Sequence, residues 1–212
     1  MKDRAKIIND IIQEEWKQFD RVKNQGGRAS CQDDWETFQI MRKSQYLSWP
    51  DELLDSILHD LYEASAIGRN LVTEKYAWMM ESTAPEEYAA LKDRLPYRSP
   101  IRLEHQEYVI AQEVTWNEIL YIKYPNFAKC GRKIHTYEDT PWSTSVETYL
   151  RGEMTTWSNK TFNIYESWID MLIKDDCNLA QMTAENMVKL YGYTSVEQAE
   201  QQLSEKAALM DS

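Results

Sequence analysis

Apolar side chains recur at helical spacing along almost the whole chain. Between residues 3 and 23 they fall at Ile8, Ile11, Ile12, Trp16, Phe19 and Val22, the rhythm of a helix with one buried stripe. A turn at Gly26-Gly27 follows. Ser30 with Asp33 resembles a capping pair for a helix running from about residue 31 to Trp49. Pro50 opens a third helix on Leu54, Ile57, Leu58, Leu61 and Ala64, with Gly68 placed as a kink before Leu71 to Met80. Thr83 and Glu86, with Pro85 in the first turn, predict a short helix to about Arg94. Pro96 and Pro100 bracket a linker, and a long helix covers roughly 101 to 124.

Residues 125–142 form the one long irregular segment, a length at which loops in packed domains tend to carry function. Helices follow at about 144–157, 160–175, 183–191 and 194–210. No strand-length alternation bounded by hairpin turns occurs. The pattern predicts an all-α fold: a single domain over 1–212, an irregular bundle of about eight or nine helices.

Composition narrows what such a bundle does. With 35 acidic and 24 basic side chains the net charge is −11, which argues against nucleic acid and anionic lipid as partners. Eight tryptophans and thirteen tyrosines require burial and argue against disorder. Cys31, Cys130 and Cys177 are odd in number and widely spaced, which fits neither a disulfide framework nor a structural zinc site. The N-terminus lacks the apolar region of a signal peptide, and no apolar run is long enough to span a bilayer. A soluble, cytoplasmic protein in a reducing compartment is expected.

The candidate chemistry lies in polar groups on apolar stripes. At 100° per residue, Glu15 falls amid Ile8, Ile12 and Phe19, while Glu14 points away. Cys31, Asp34, Arg42 and Gln45 lie near the Trp35–Phe38 face, and His105 and Glu113 share a stripe with Val109 and Trp116. Glu147 and Glu153 flank Leu150, and Glu147 also sits where a capping glutamate would serve Thr144. Buried carboxylates need a partner, and Arg28, Arg42, Arg132 and Arg151 are available. Asp55, His59 and Glu63 follow i, i+4 steps on the face opposite Leu54–Leu61, so they are read as solvated.

Several familiar chemistries find no match. There is no His-Glu-x-x-His, phosphate-cradling glycine loop or dinucleotide fingerprint. A carboxylate-bridged dimetal bundle normally supplies Glu-x-x-His from two helices, and no such pair occurs.

The segments Glu15-Trp16, Gly26 to Trp35 (Gly-Gly-Arg-Ala-Ser-Cys-Gln-Asp-Asp-Trp), Thr37-Phe38 and Ile40 to Gln45 carry a family likeness. So do Thr148 to Glu153 and Tyr191-Gly-Tyr193, whereas residues 55–100 contribute nothing to it. On these features the chain resembles a bacterial family of unknown function, domain of unknown function 4125. The resemblance implies a stand-alone cytoplasmic protein of bacterial type and supplies no activity.

From its residues the chain reads as an enzyme-like or small-molecule-binding helical protein with a buried carboxylate–arginine pocket. Glu15, Asp34, Glu153 and Cys31 are the candidate catalytic groups. Arg28, Arg42, Gln45 and Arg151 are the candidates to hold a small anionic substrate by paired hydrogen bonds. No metal ligand or cofactor is assigned. A non-catalytic protein–protein interaction module and a carboxylate-ligated dimetal protein are the alternatives.

Overall fold

Two glycines and two asparagines do much to set the helix boundaries. Gly68 has φ +77°; its N–H bonds to Ser65 O and that of Arg69 to Ala64 O, the paired closure that stops a helix at a left-handed residue. Asn70 then caps the next helix by accepting from Thr73 N at 2.8 Å. What the pattern read as a kink is therefore a full break. Gly192 (φ +89°) closes a later helix in the same manner, and Asn178 opens that helix by accepting from Gln181 N.

The structure, a computed structural model, describes residues 3–24 and 27–210, so Gly26 of the expected double-glycine turn lies outside the described residues. Among them are eleven α-helices. They are α1 (Arg4–Asp20), α2 (Trp35–Tyr46), α3 (Asp51–Ala66), α4 (Leu71–Thr83), α5 (Pro85–Leu91) and α6 (Pro100–Lys123). The remainder are α7 (Pro125–Ala128), α8 (Val146–Thr155), α9 (Asn159–Lys174), α10 (Leu179–Leu190) and α11 (Val196–Met210). No strand occurs among the described residues; Thr140 and Ser143 form an isolated bridge. The fold is all-α, as the pattern predicts. The count exceeds nine because Gly68 separates two helices and one turn of helix, α7, sits inside the expected irregular segment.

The main core gathers Ile8, Ile11 and Ile12 of α1, Leu53, Leu54 and Ile57 of α3, Val109 and Ile110 of α6, Met154 of α8, and Phe162, Tyr165 and Ile169 of α9. Burying each such side chain contributes about 1.5–3 kcal/mol before entropy is counted. A second cluster joins Leu120, Tyr124, Val188, Val196 and Ala199 across α6, α10 and α11. Polar pins fix the corners. Gln18 of α1 accepts from Leu71 N at 2.8 Å, and its backbone oxygen accepts from Asn70 Nδ2.

Several local expectations are corrected. Ser30–Asp33 forms a 3-10 turn rather than the start of α2, and Asp34 is the cap, accepting from Thr37 N at 3.0 Å. Buried Gln32 causes this: it donates to Phe19 O and Val22 O and accepts from Ala29 N, tying the turn to the end of α1. Helix α8 is capped by Ser145, one residue after the expected Thr144. Glu147 instead accepts from Thr136 N and Arg151. Glu14 is buried against α3, bonded by Ser65 and Lys17, because α1 packs on more than one side. His105 lies exposed beside Glu166.

Candidate functional site

Four helices bring charge into one buried place. Arg42 of α2 donates from Nε (2.8 Å) and Nη2 (2.5 Å) to both oxygens of Glu15 on α1. Its Nη1 lies 2.9 Å from Glu153 Oε1 of α8 and 2.8 Å from Gln45 Oε1. Tyr46 OH also accepts from it. Lys75 of α4 completes the set, 3.4 Å from Glu153 Oε1 and donating to Tyr149 OH at 2.9 Å. Relative exposures of Glu15, Arg42, Lys75 and Glu153 are 8, 7, 8 and 4%. Two cations thus face two anions out of water, the condition under which buried charge is tolerated. Burial pushes the Glu153 carboxyl up, but Arg42 and Lys75 more than offset this and hold it below its ordinary range.

Glycine makes this juxtaposition reachable. A Cβ on Gly152 would lie 2.8 Å from Met79 Cγ and 2.9 Å from Lys75 O, so α8 and α4 touch backbone to backbone there. Beside the contact a cavity of about 20 Å3 is lined by Glu15, Lys75, Glu153, Thr156 and apolar side chains such as Leu61 and Val72. Glu153 Oε2 has no protein hydrogen-bond partner. A space of this size is on the scale of one water molecule.

The opposite side of the α4–α8 contact is open. Thr148, Arg151 and Thr155 share one face of α8, while Tyr149 and Glu153 occupy the other, as helical spacing requires. With Trp78, Glu81 and Ser82 of α4, Thr136, and Arg98 from the segment before α6, they line a cleft of about 270 Å3. Arg151 is held there by both Glu107 oxygens (2.6 and 2.7 Å) and by Glu147 (3.0 Å).

A family model described as "Protein of unknown function (DUF4125)" matches residues 5–201. The chain belongs to the DUF4125 family. No curated protein and no solved structure matches it. In this DUF4125 chain both the buried network and the cleft fall inside the matched span.

Of the residues singled out from sequence, Glu15, Arg42, Gln45 and Glu153 meet in the network, and Arg151 faces the cleft. Three lie elsewhere. Arg28 is at the surface, bound to Asp20 and Asp33; Asp34 is an exposed cap; Cys31 is an exposed free thiol on the 3-10 turn. Arg28, Arg42 and Arg151, the proposed anion holders, are each already bound by two carboxylates.

The DUF4125 chain also carries functional candidates that the sequence reading missed: Lys75, Tyr46, Tyr149, Trp78, Glu81 and Arg98. Lys75 was findable, since it interrupts the buried stripe Leu71, Val72, Trp78 and Met79 of α4 as Glu15 interrupts that of α1. Glu113 is a separate case. It is buried with Tyr165 OH donating to it at 2.7 Å, and burial pushes its carboxyl up to about 8. Among the described residues no group of three or more His, Cys, Asp or Glu is arranged to hold a metal ion, so the dimetal reading lacks a donor set. No described helix is long and apolar enough to cross a membrane.

Proposed function

We propose that this DUF4125 chain is a small-molecule-binding protein whose ligand occupies the cleft on the Thr148–Arg151–Thr155 face of α8. The observation that carries this reading is the cleft itself: about 270 Å3, with an aromatic ring on one wall and a row of hydroxyls on the other. Small-ligand sites combine these features, a concave shape with few placed polar groups. The buried network serves as the rigid backing of that wall rather than as the reacting centre. Its charges pair two against two, and the cavity beside it is on the scale of one water. Three exposed thiols fit a reducing, cytoplasmic setting, and the net charge of −11 disfavours nucleic acid.

Thermal-shift screening of fractionated metabolite extract tests the reading. A ligand that binds only the folded state at 100 times its Kd adds about 2.7 kcal/mol of apparent stability. A fraction that stabilises the wild type and loses its effect on Thr155→Phe, which fills the cleft, supports the proposal. An equal shift in both proteins, or no shift with any fraction, overturns it.

A further inference from the structure

The hydroxyl row has a direction. Ser82 Oγ and Thr148 Oγ1 each donate to Asp139 Oδ2 at 2.6 Å. Burial pushes the Asp139 carboxyl up, but the bonds from Ser82, Thr148 and Ser145 more than offset this, so it is a carboxylate and the hydroxyls must be the donors. Thr148 having given its proton away, the 3.0 Å contact between Thr136 and Thr148 is donated by Thr136. Thr155 donates to Arg151 O at 2.7 Å. All four hydroxyl protons are therefore directed into the protein. Thr155, Thr136 and Thr148 each already accept one bond, from Gln106, Arg151 and Thr136, so what the row can still offer a ligand is a second oxygen lone pair, which asks for a donor.

The charges agree with this. Arg151 makes three bonds to Glu107 and Glu147, with Nη1 donating to Thr136 Oγ1. The remaining cation, Arg98, behaves as an occupant: its guanidinium lies 4.1 Å from the Trp78 ring centroid, with Nη1 on Glu81 at 3.2 Å and Nη2 on Tyr88 OH at 3.1 Å. An aromatic face with a carboxylate at its edge is a standard receptor for guanidinium or ammonium groups. Arg98 comes from the irregular segment between Arg94 and α6, not from the helical frame.

Resting on the cleft reading above, we infer that the cleft takes a ligand bearing a guanidinium or ammonium group, seated on Trp78 against Glu81, and that Arg98 is the internal side chain it displaces. This replaces the anionic substrate suggested by the arginine count.

Calorimetric titration with agmatine, acetate and inorganic phosphate provides the test, on wild type, Arg98→Ala and Arg98→Gln. Removing the internal competitor should tighten agmatine binding about tenfold in both variants, and adding Glu81→Gln should abolish the gain. Acetate and phosphate should bind none of them measurably. Arg98→Gln keeps a donor for Glu81 without the charge, so a folding defect in Arg98→Ala leaves the test intact. Equal agmatine affinity in wild type and Arg98→Gln, or tighter binding of phosphate or acetate than of agmatine, overturns the inference. A neutral or anionic extract ligand whose effect is lost in Thr155→Phe would sink this inference alone. Agmatine binding that survives Thr155→Phe would sink the cleft reading with it.

Discussion

The two faces of α8 treat charge in opposite ways. Toward α1 and α2, Glu153 and Tyr149 enter a network in which Arg42 and Lys75 are fully enclosed. Toward the cleft, Arg151 and Arg98 each pair with a carboxylate that remains half in solvent, Glu107 at 49% and Glu81 at 50% side-chain exposure, although Arg151 also holds the less exposed Glu147. A closed pair is costly to break, and the one acceptor left open in it, Glu153 Oε2, faces a space on the scale of one water. An open pair exchanges partners at little cost, because water compensates each lost contact. Arginine and carboxylate alone thus say little about function; the solvent on one side of them decides how easily a pair can be exchanged.

The enclosed side depends most on Arg42. Arg42→Met leaves Glu15 buried without a counter-ion and Glu153 with Lys75 alone, and should lower unfolding free energy by about 3–5 kcal/mol in urea titration. A neutral outcome would mean the network is not closed by its charges.

Glu113 sharpens the same point, as a buried carboxyl with a hydroxyl donor. In the fold it holds its proton to about 8, against an ordinary 4.5 when unfolded. Between those values the native state binds the extra proton, so stability falls as pH rises. The fall should be on the order of 3 kcal/mol between roughly pH 5 and 8, and Glu113→Gln should remove most of it. An unchanged pH profile in the variant would show that Glu113 titrates normally.

Gly152→Ala tests the partition between the faces. Its Cβ meets the Lys75 carbonyl, which cannot swing aside like a side-chain tip, so a loss of about 1–3 kcal/mol is expected. Equilibrium denaturation reads this directly, and no loss would imply that α4 and α8 part freely. The smallest effect belongs to the open face: Glu81→Gln should change stability by less than about 0.5 kcal/mol. A loss of several times that would place Glu81 with the closed side.

How much of this was legible in the sequence depended on helix phase. Glu15 and Arg42 were found because α1 and α2 keep one period throughout, so a polar residue inside the stripe stands out. Lys75 escaped because Gly68, read as a kink, is a full stop after which Asn70 starts a new helix with its own face. Asp34 and Cys31 were misplaced by the 3-10 turn that Gln32 ties to the end of α1, a contact between segments that no local pattern encodes. Glu147 was given a capping role that a one-residue shift in the start of α8 removed. Arg98 over Trp78 joins the 94–99 segment to α4, and no periodicity connects those two.

The missing side chain at position 152 also decides which sides of the cleft are built on backbone contact and which on side chains alone. Two of its walls, Trp78 and Ser82 on α4 and Thr148 and Arg151 on α8, belong to helices in close backbone contact at Gly152. Arg98, from the irregular stretch 95–99, is held against the cleft by side-chain contacts alone, to Trp78, Glu81 and Tyr88. If the cleft takes the cationic ligand proposed above, its entry requires Arg98 to leave the Trp78 ring. Stiffening the 95–99 stretch in that docked conformation with a further proline would then slow association and weaken apparent affinity together.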